Sequence, residues 1–306
     1  METKQTDPPG ANALQQTERA SGMAQGNTTE VSNLATADAR ADAFVSARLL
    51  AQPLPVYPGT MPATLAEAYA IQNRAIQLWP DRLAGWKVGR INPPWDGVFG
   101  TDRLAGPIFA SQVSRATGDP VDCFIFQGGF GAVESEIVIV AGNDAPPEKL
   151  RWSLQDAADM AGSMHIGAEI ASSCFPGIND HGPLVTISDF GNNNGLILGE
   201  EIPGWRAAAP TDWRLRTLID GREAGYADAT TIPGGPMESF RQLLEITAAR
   251  GLPLRKGTLV STGAVTGVHA AQAGQTATVE YAGLQTIHLR LLSAHPFNQT
   301  DNPPSS

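Results

Sequence analysis

Apolar positions change period along this chain. Between residues 36 and 80 they recur at helical spacing; further on they come in short runs rich in β-branched residues and punctuated by glycine. Thr36 reads as the N-cap of a helix over Ala37 to Val45, which has to stop before Pro53, Pro55 and Pro58. Thr64 and Glu67 form a capping-box signature, after which Leu65, Ala68, Tyr69, Gln72, Ile76 and Trp79 fall at helical spacing. Gly85 to Gly89 predicts a short strand, and Ala132 to Val140 a longer one. Ser153 with Asp156 opens a short helix, and Met164–Ile170, Leu184–Ser188 and Gly195–Gly199 read as strands. A helix near Met237–Arg250 ends at Gly251, a C′ glycine. Leu252 to Lys256 leads into a glycine-bounded run from Gly257 to Gly263, and two more strands follow near Thr276–Tyr281 and Gln285–Leu292. Helices first and many short strands afterwards favour an α+β or largely β domain over a doubly wound sheet. No internal repeat is visible.

Composition narrows the class. The chain has 306 residues, 42% hydrophobic and 17% charged, enough for one sizeable core or two modest ones. Residues 1 to about 35 carry no aromatic and no isoleucine, too little apolar surface to offset ordering entropy, and are expected to be a disordered tail. The remainder divides into a helical and short-strand part over 36–110, a β-rich part over 111–295 and a C-terminal tail over 296–306. A net charge of −10 argues against a nucleic-acid partner, and any anionic substrate needs a local positive centre. Two cysteines, Cys123 and Cys174, are too few for a disulfide framework, and no apolar run approaches the ~18 residues of a membrane span. These features point to a cytoplasmic setting. Asn27-Thr28-Thr29 and Asn298-Gln299-Thr300 match the glycosylation pattern without a signal segment ahead of them, and are read as chance matches.

The candidate chemistry starts with Glu134 and Glu136. Two residues apart on a strand, both carboxylates point the same way, and neither has a basic neighbour in sequence. A hard cation held between them relieves the repulsion; a solvated strand edge accounts for the pair equally well on this motif alone. Lys87 lies between Trp86 and Val88 and by itself reads as a snorkelling lysine.

Glu134-Ser135-Glu136, followed some thirty residues on by Gly167-Ala168-Glu169-Ile170, resembles the metal-binding carboxylate set of the fumarylacetoacetate hydrolase superfamily. Ala68 to Gln72, Gly85 to Gly89, Leu254 to Gly257 and Ser261 to Ala264 are similar to its 2-keto-4-pentenoate hydratase branch, which also contains decarboxylases. The resemblance spans roughly Thr36 to Leu292. It implies a mixed β-roll, Mg²⁺ or Mn²⁺ held by Glu134, Glu136 and Glu169, a 2-oxo acid as small-molecule substrate, and a homo-oligomer. Three carboxylates give an all-oxygen site that leaves positions open for substrate oxygens. Lys87 and Asp189 are then the expected catalytic side chains, Lys87 with a pKa lowered by partial desolvation. Gln72, Ser261, Thr262 and Gly263 are the expected substrate-binding residues, although a helix-face glutamine bonded to backbone and a tight strand-end turn explain them as well.

The departures are specific. Where related hydratases show Asp-Ser-Arg, this chain has Ser172-Ser173-Cys174, so a positive group is missing; where they show Ala-Asp-Asn, it has Ser188-Asp189-Phe190, with Asn192, Asn193 and Asn194 close by. Cys174 is a nucleophile or a buried thiol, with no activating base to assign, and His181 beside Asp180 is a proton shuttle or a loop residue. Three functions follow: a metal-dependent hydratase acting on a 2-hydroxydienoate, a decarboxylase of the same branch, or a non-catalytic 2-oxo acid binder. A carbon–carbon hydrolase fits less well, because those use an N-terminal histidine and the first here is His165. The missing arginine predicts preference for a neutral substrate over a dicarboxylate.

Overall fold

A computed structural model describes residues 39–298. The expected disordered tail, the Thr36 cap, the Asn27 motif and the last residues of the expected C-terminal tail lie outside that range.

The helical period is realised first. Helix α1 covers 39–49, and α2, Leu65–Leu78, starts at Thr64, whose hydroxyl accepts the Glu67 N–H at 3.1 Å. Only half of the capping box forms: Glu67 reaches past Thr64 to the Ala63 N–H at 2.9 Å and pairs with Arg40 on α1 at 3.0 Å. Ile71 and Ala75 of α2 pack with Ala41 and Val45 of α1 and with Trp79, Phe109 and Phe190, so the two helices share an apolar seam.

Strands β1 (Leu83–Arg90) and β2 (Arg103–Phe109) flank the short α3 (Trp95–Phe99). There follow β3 (Val113–Arg115), β4 (Val121–Ile125), β5 (Phe130–Ala141), α4 (Leu154–Met160), β6 (Ala161–Ser173), α5 (Pro183–Ser188) and β7 (Asn193–Glu201). The chain ends with β8 (Arg214–Ile219), β9 (Arg222–Asp228), α6 (Gly235–Ala249), β10 (Leu259–Ala270), β11 (Thr276–Tyr281) and β12 (Gln285–Ser293). One mixed sheet of seven strands has the order β2-β1-β10-β5-β6-β7-β3, and a five-stranded sheet the order β4-β12-β11-β8-β9. This is the expected α+β class with curled mixed sheets. The division expected at residue 110 cuts through one sheet, because β1 and β2 are hydrogen-bonded into the same array as β5 and β10.

One element differs in kind. Leu184–Ser188, read as a strand, lies in helix α5, which follows Gly182 at φ 83° and has Pro183 in its first turn. A short apolar run cannot be told from a buried helix turn by periodicity. Leu184 and Ile187 pack with Ala68, Ile91 and Leu104, while Val185 packs with Phe44, Tyr57 and Phe175. The run is apolar all round because it is sandwiched between two clusters.

Strand β5 at the centre of the large sheet is buried on both faces. Val133, Ile137 and Ile139 enter the main core, whereas Val138 on the alternate face packs with Ile108, Leu196 and Leu198. Glu134 and Glu136 lie on that second face, where an apolar side chain would be the default.

Candidate metal centre and its lysine

Register brings the carboxylates together. In the antiparallel β5–β6 pair Glu134 stands directly opposite Glu169, and Glu136 opposite Gly167. Directly opposed residues point to the same face, so all three glutamates converge. One carboxylate oxygen from each lies within 4.8 Å of the others. Glu136 and Glu169 are 0% exposed and Glu134 4%. The reading of a solvated strand edge is thereby excluded.

Lys87 is brought in by β1. Its parallel neighbour across the pairing is Ser261 of β10, and its Nζ lies 3.2 Å from Glu169 Oε1. Burial pulls its pKa down, but the charges of Glu169, Glu134 and Glu136 outweigh that and leave it raised. The expected lowering is therefore overturned for the metal-free site, and Lys87 stands as an ammonium. Burial, against the pull of Lys87 and with the push of Glu169, raises Glu134 to about 7. Burial together with Glu169 and Glu134 raises Glu136 well above its ordinary value, against one Gly263 N–H at 2.6 Å and the charge of Lys87.

These residues fit a divalent cation. Glu136 Oε1 and Glu169 Oε2 are buried and accept no hydrogen bond, a state that costs about 1–3 kcal/mol per group or more for a charged one unless something else satisfies it. A set of three carboxylates is the donor chemistry of a hard ion such as Mg²⁺ or Mn²⁺. Glu134 and Lys87 line a cleft of about 860 Å³ together with Arg90, Trp95, Asn179, Asp180, Thr186, Asn192, Thr262 and Gly263.

The other expected site residues divide. Gly263 N–H orients Glu136, Thr262 Oγ1 donates to Ile137 O at 2.7 Å, and the buried Ser261 Oγ has no partner. Gln72 is spoken for at both ends: Nε2 donates to Ala105 O and Ile187 O at 2.9 and 2.8 Å, and Oε1 accepts from Arg250 at 2.8 Å. It ties α2 to β2 and to α5 and does not line the cleft. Asp189 is likewise held by Arg48 Nε at 2.5 Å and by Ser173 Oγ at 2.6 Å, so its carboxylate fixes a turn.

Arg48 is the residue that the sequence left unseen. From α1 it reaches Asp189 and donates to Ser172 O and Asn193 O, both at 3.0 Å, with its guanidinium over the rings of Phe126 and Phe190. Positive charge is thus present beside the Ser172-Ser173-Cys174 segment, delivered from 124 residues upstream of Ser172. No sequence signal marks it, because Arg48 lies beyond the helix expected over Ala37 to Val45. Cys174 packs against Ala47 and Phe126, and burial pushes its thiol up to about 12, which removes it as a nucleophile. His181 stacks on Phe175, in keeping with a loop residue. Trp95 and Arg90 were also missed, since cleft walls leave no periodicity.

A left-handed turn joins Asp189 to the lysine. Phe190, Gly191 and Asn192 have φ of 55°, 62° and 59°. The conformation costs roughly 1–2 kcal/mol for a non-glycine residue. Phe190 is held there by its buried ring, which contacts Trp79 and Phe109, and Gly106 is required opposite, since a Cβ would lie 2.2 Å from Phe190 O.

No family profile matches the chain. A 2-keto-4-pentenoate hydratase of Paraburkholderia phymatum is 27% identical over 231 residues, 74% of this chain and 84% of that protein. Among solved structures, 4-oxalocrotonate decarboxylase from Pseudomonas putida complexed with magnesium and adipate superposes with a TM-score of 0.69 at 20% identity, covering 84% of this chain and 97% of that one. Fumarylpyruvate hydrolase from Pseudomonas aeruginosa in complex with Mn²⁺ and pyruvate gives 0.51 at 19%, covering 70% and 91%. The chain thus shares the fold of these structures and a sequence similarity with the hydratase over most of its length.

Proposed function

We propose that the chain is a metal-dependent lyase acting on an unsaturated 2-oxo acid or its dienol, in the first place a hydratase that gives a 4-hydroxy-2-oxo acid. The observation that carries this reading is the buried carboxylate triad with unanswered oxygens beside the Lys87 ammonium. Glu134, Glu136 and Glu169 would hold Mg²⁺ or Mn²⁺, which supplies Lewis acidity toward the substrate's 2-oxo carboxylate. Lys87 then offers a fixed positive charge to the negative charge that develops on the substrate as the neighbouring carbon exchanges a proton. Trp95, half exposed, gives the cleft wall an apolar face for the substrate's carbon chain.

A second reading is supported by the similarity in fold to 4-oxalocrotonate decarboxylase over 84% of the chain. The same charges serve loss of CO₂. The preference for a neutral substrate rested on a missing arginine; Arg90, exposed on the cleft wall, offers a cation to a dicarboxylate and removes that basis.

The test follows loss of dienol ultraviolet absorbance in Mg²⁺ or Mn²⁺, with and without chelator, and weighs the product. A gain of water identifies the hydratase and a loss of CO₂ the decarboxylase. Binding of the 2-oxo acid without turnover would leave the chain a non-catalytic binder. Absorbance loss that survives the chelator overturns the role of the metal. The cytoplasmic setting and the homo-oligomer belong to the same proposal.

A further inference from the structure

We propose that Asn192 is the positioning residue that holds the Lys87 ammonium over the carboxylate triad, delivered by the left-handed turn at 190–192; this rests on the function proposed above. Lys87 carries three donors on a flexible stem. Three carboxylates attract it from one side, and such attraction is not directional: the ammonium can slide among them. Asn192 Oδ1 lies 3.4 Å from Lys87 Nζ, and Asn192 Nδ2 donates to Asn179 Oδ1 at 3.3 Å. The second contact fixes which end of the amide faces the lysine, so the oxygen is presented to the ammonium and a second point of attachment is defined.

The turn is built for that delivery. Asn192 N–H closes on Asp189 O at 2.8 Å, and Asp189 is itself clamped by Arg48 and Ser173. A Cβ on Gly191 would meet Lys87 Cδ at 3.2 Å and Gly106 Cα at 3.0 Å, so the backbone of the turn lies directly on the lysine stem. Asparagine is among the few residues other than glycine that tolerate this conformation, and it alone adds an amide. Asn179 is exposed on the cleft wall, so the link runs from the rim to the lysine.

The test uses the full chain and the variants Asn192→Gly, which keeps the backbone conformation, Lys87→Met, and the double variant. In the ¹⁵N-labelled protein without substrate, the Lys87 ammonium resonance, identified by its loss in Lys87→Met, is expected to shift and broaden in Asn192→Gly. In the Mn²⁺-loaded protein kcat falls about 10²-fold, as for a misplaced charge, while KM and the Mn²⁺ affinity measured by calorimetry stay unchanged. The double variant is no slower than Lys87→Met, because the amide acts through the lysine. An unaltered ammonium resonance, or a kcat loss that adds fully to that of Lys87→Met, overturns the assignment. Absence of turnover in the unaltered chain overturns the proposed function instead, and the substrate-free resonance still decides the role of Asn192.

Discussion

Glu136 ionises into surroundings that barely answer its charge. Its Oε2 takes the Gly263 N–H, its Oε1 takes nothing, and Lys87 leans toward Glu169. Glu136→Gln preserves an oxygen for Gly263 while removing the ligand charge. Mg²⁺ or Mn²⁺ affinity is expected to fall by about 10²-fold or more, since changes one shell further out already cost 10–100-fold. In the absence of metal, and once the pH is high enough to ionise Glu136 against its burial, the same variant should melt higher than the parent, because a buried like charge is gone. Calorimetric titration and a thermal melt in chelator read the two signs separately; unchanged metal affinity excludes Glu136 as a ligand. Lys87→Met should behave oppositely, with kcat down about 10²–10³-fold and metal affinity retained or increased. Arginine should not rescue it, since the planar guanidinium does not fit the space of an ammonium beside Gly191 and Gly106. Full activity in Lys87→Met returns the residue to a snorkelling lysine.

At the scale of elements, α1 matters for where it puts Arg48. The guanidinium and Asp189 are both fully buried, so deleting one partner leaves an uncompensated charge. Arg48→Ala should cost about 3–5 kcal/mol in denaturant unfolding, the usual penalty for breaking a buried pair; a cost no larger than that of an exposed pair would show that Asp189 finds other partners. Cys174→Arg, which would restore the arginine missing from the sequence, forces a second guanidinium into a packed position beside the first. The sequence made much of the scaffold legible wherever one period or one cap dominated. Ser153 and Asp156 form the full capping box, β11 keeps the expected bounds of Thr276–Tyr281, and the alternation of Glu134 and Glu136 places both on one face. What stayed hidden depends on contacts distant in sequence. Helix α5 reads as a strand because both of its sides are buried, Gln72 and Asp189 are polar for structural bonds, and Arg48 acts across 141 residues. Alternation places an acid on a face, but only the register with Glu169 turns it into a site.

For the molecule as a whole, the triad trades stability for function. Three buried carboxylates face one lysine at the centre of the large sheet, where Val138 and its apolar neighbours show what the default filling is. The consequence for pH has a definite sign. Glu134 is raised from 4.5 to about 7 in the folded protein, and Glu136 is raised well above its ordinary value, in both cases chiefly by burial. A raised carboxylate contributes stability that is full below its unfolded value and lost as the pH climbs through the folded one. Lys87 is raised from 10.5, so its contribution is constant through this window. Asp220 and Asp228 are depressed from 3.8 and act only at more acid pH, while burial lowers His269 from 6.5, one group of opposite sign inside the window against the two glutamates. The chelated protein should therefore lose on the order of a few kcal/mol between pH 5 and pH 8. A divalent cation offsets that loss and displaces protons as it binds, so its affinity climbs with pH. The expected result is a Tm that falls over this range in chelator, with a gap to the Mn²⁺-loaded protein that widens at every step. Glu134→Gln with Glu136→Gln should flatten the chelator curve and close the gap. A Tm that is independent of pH in chelator, or a gap of constant width, would mean that the triad is ionised and satisfied without a metal.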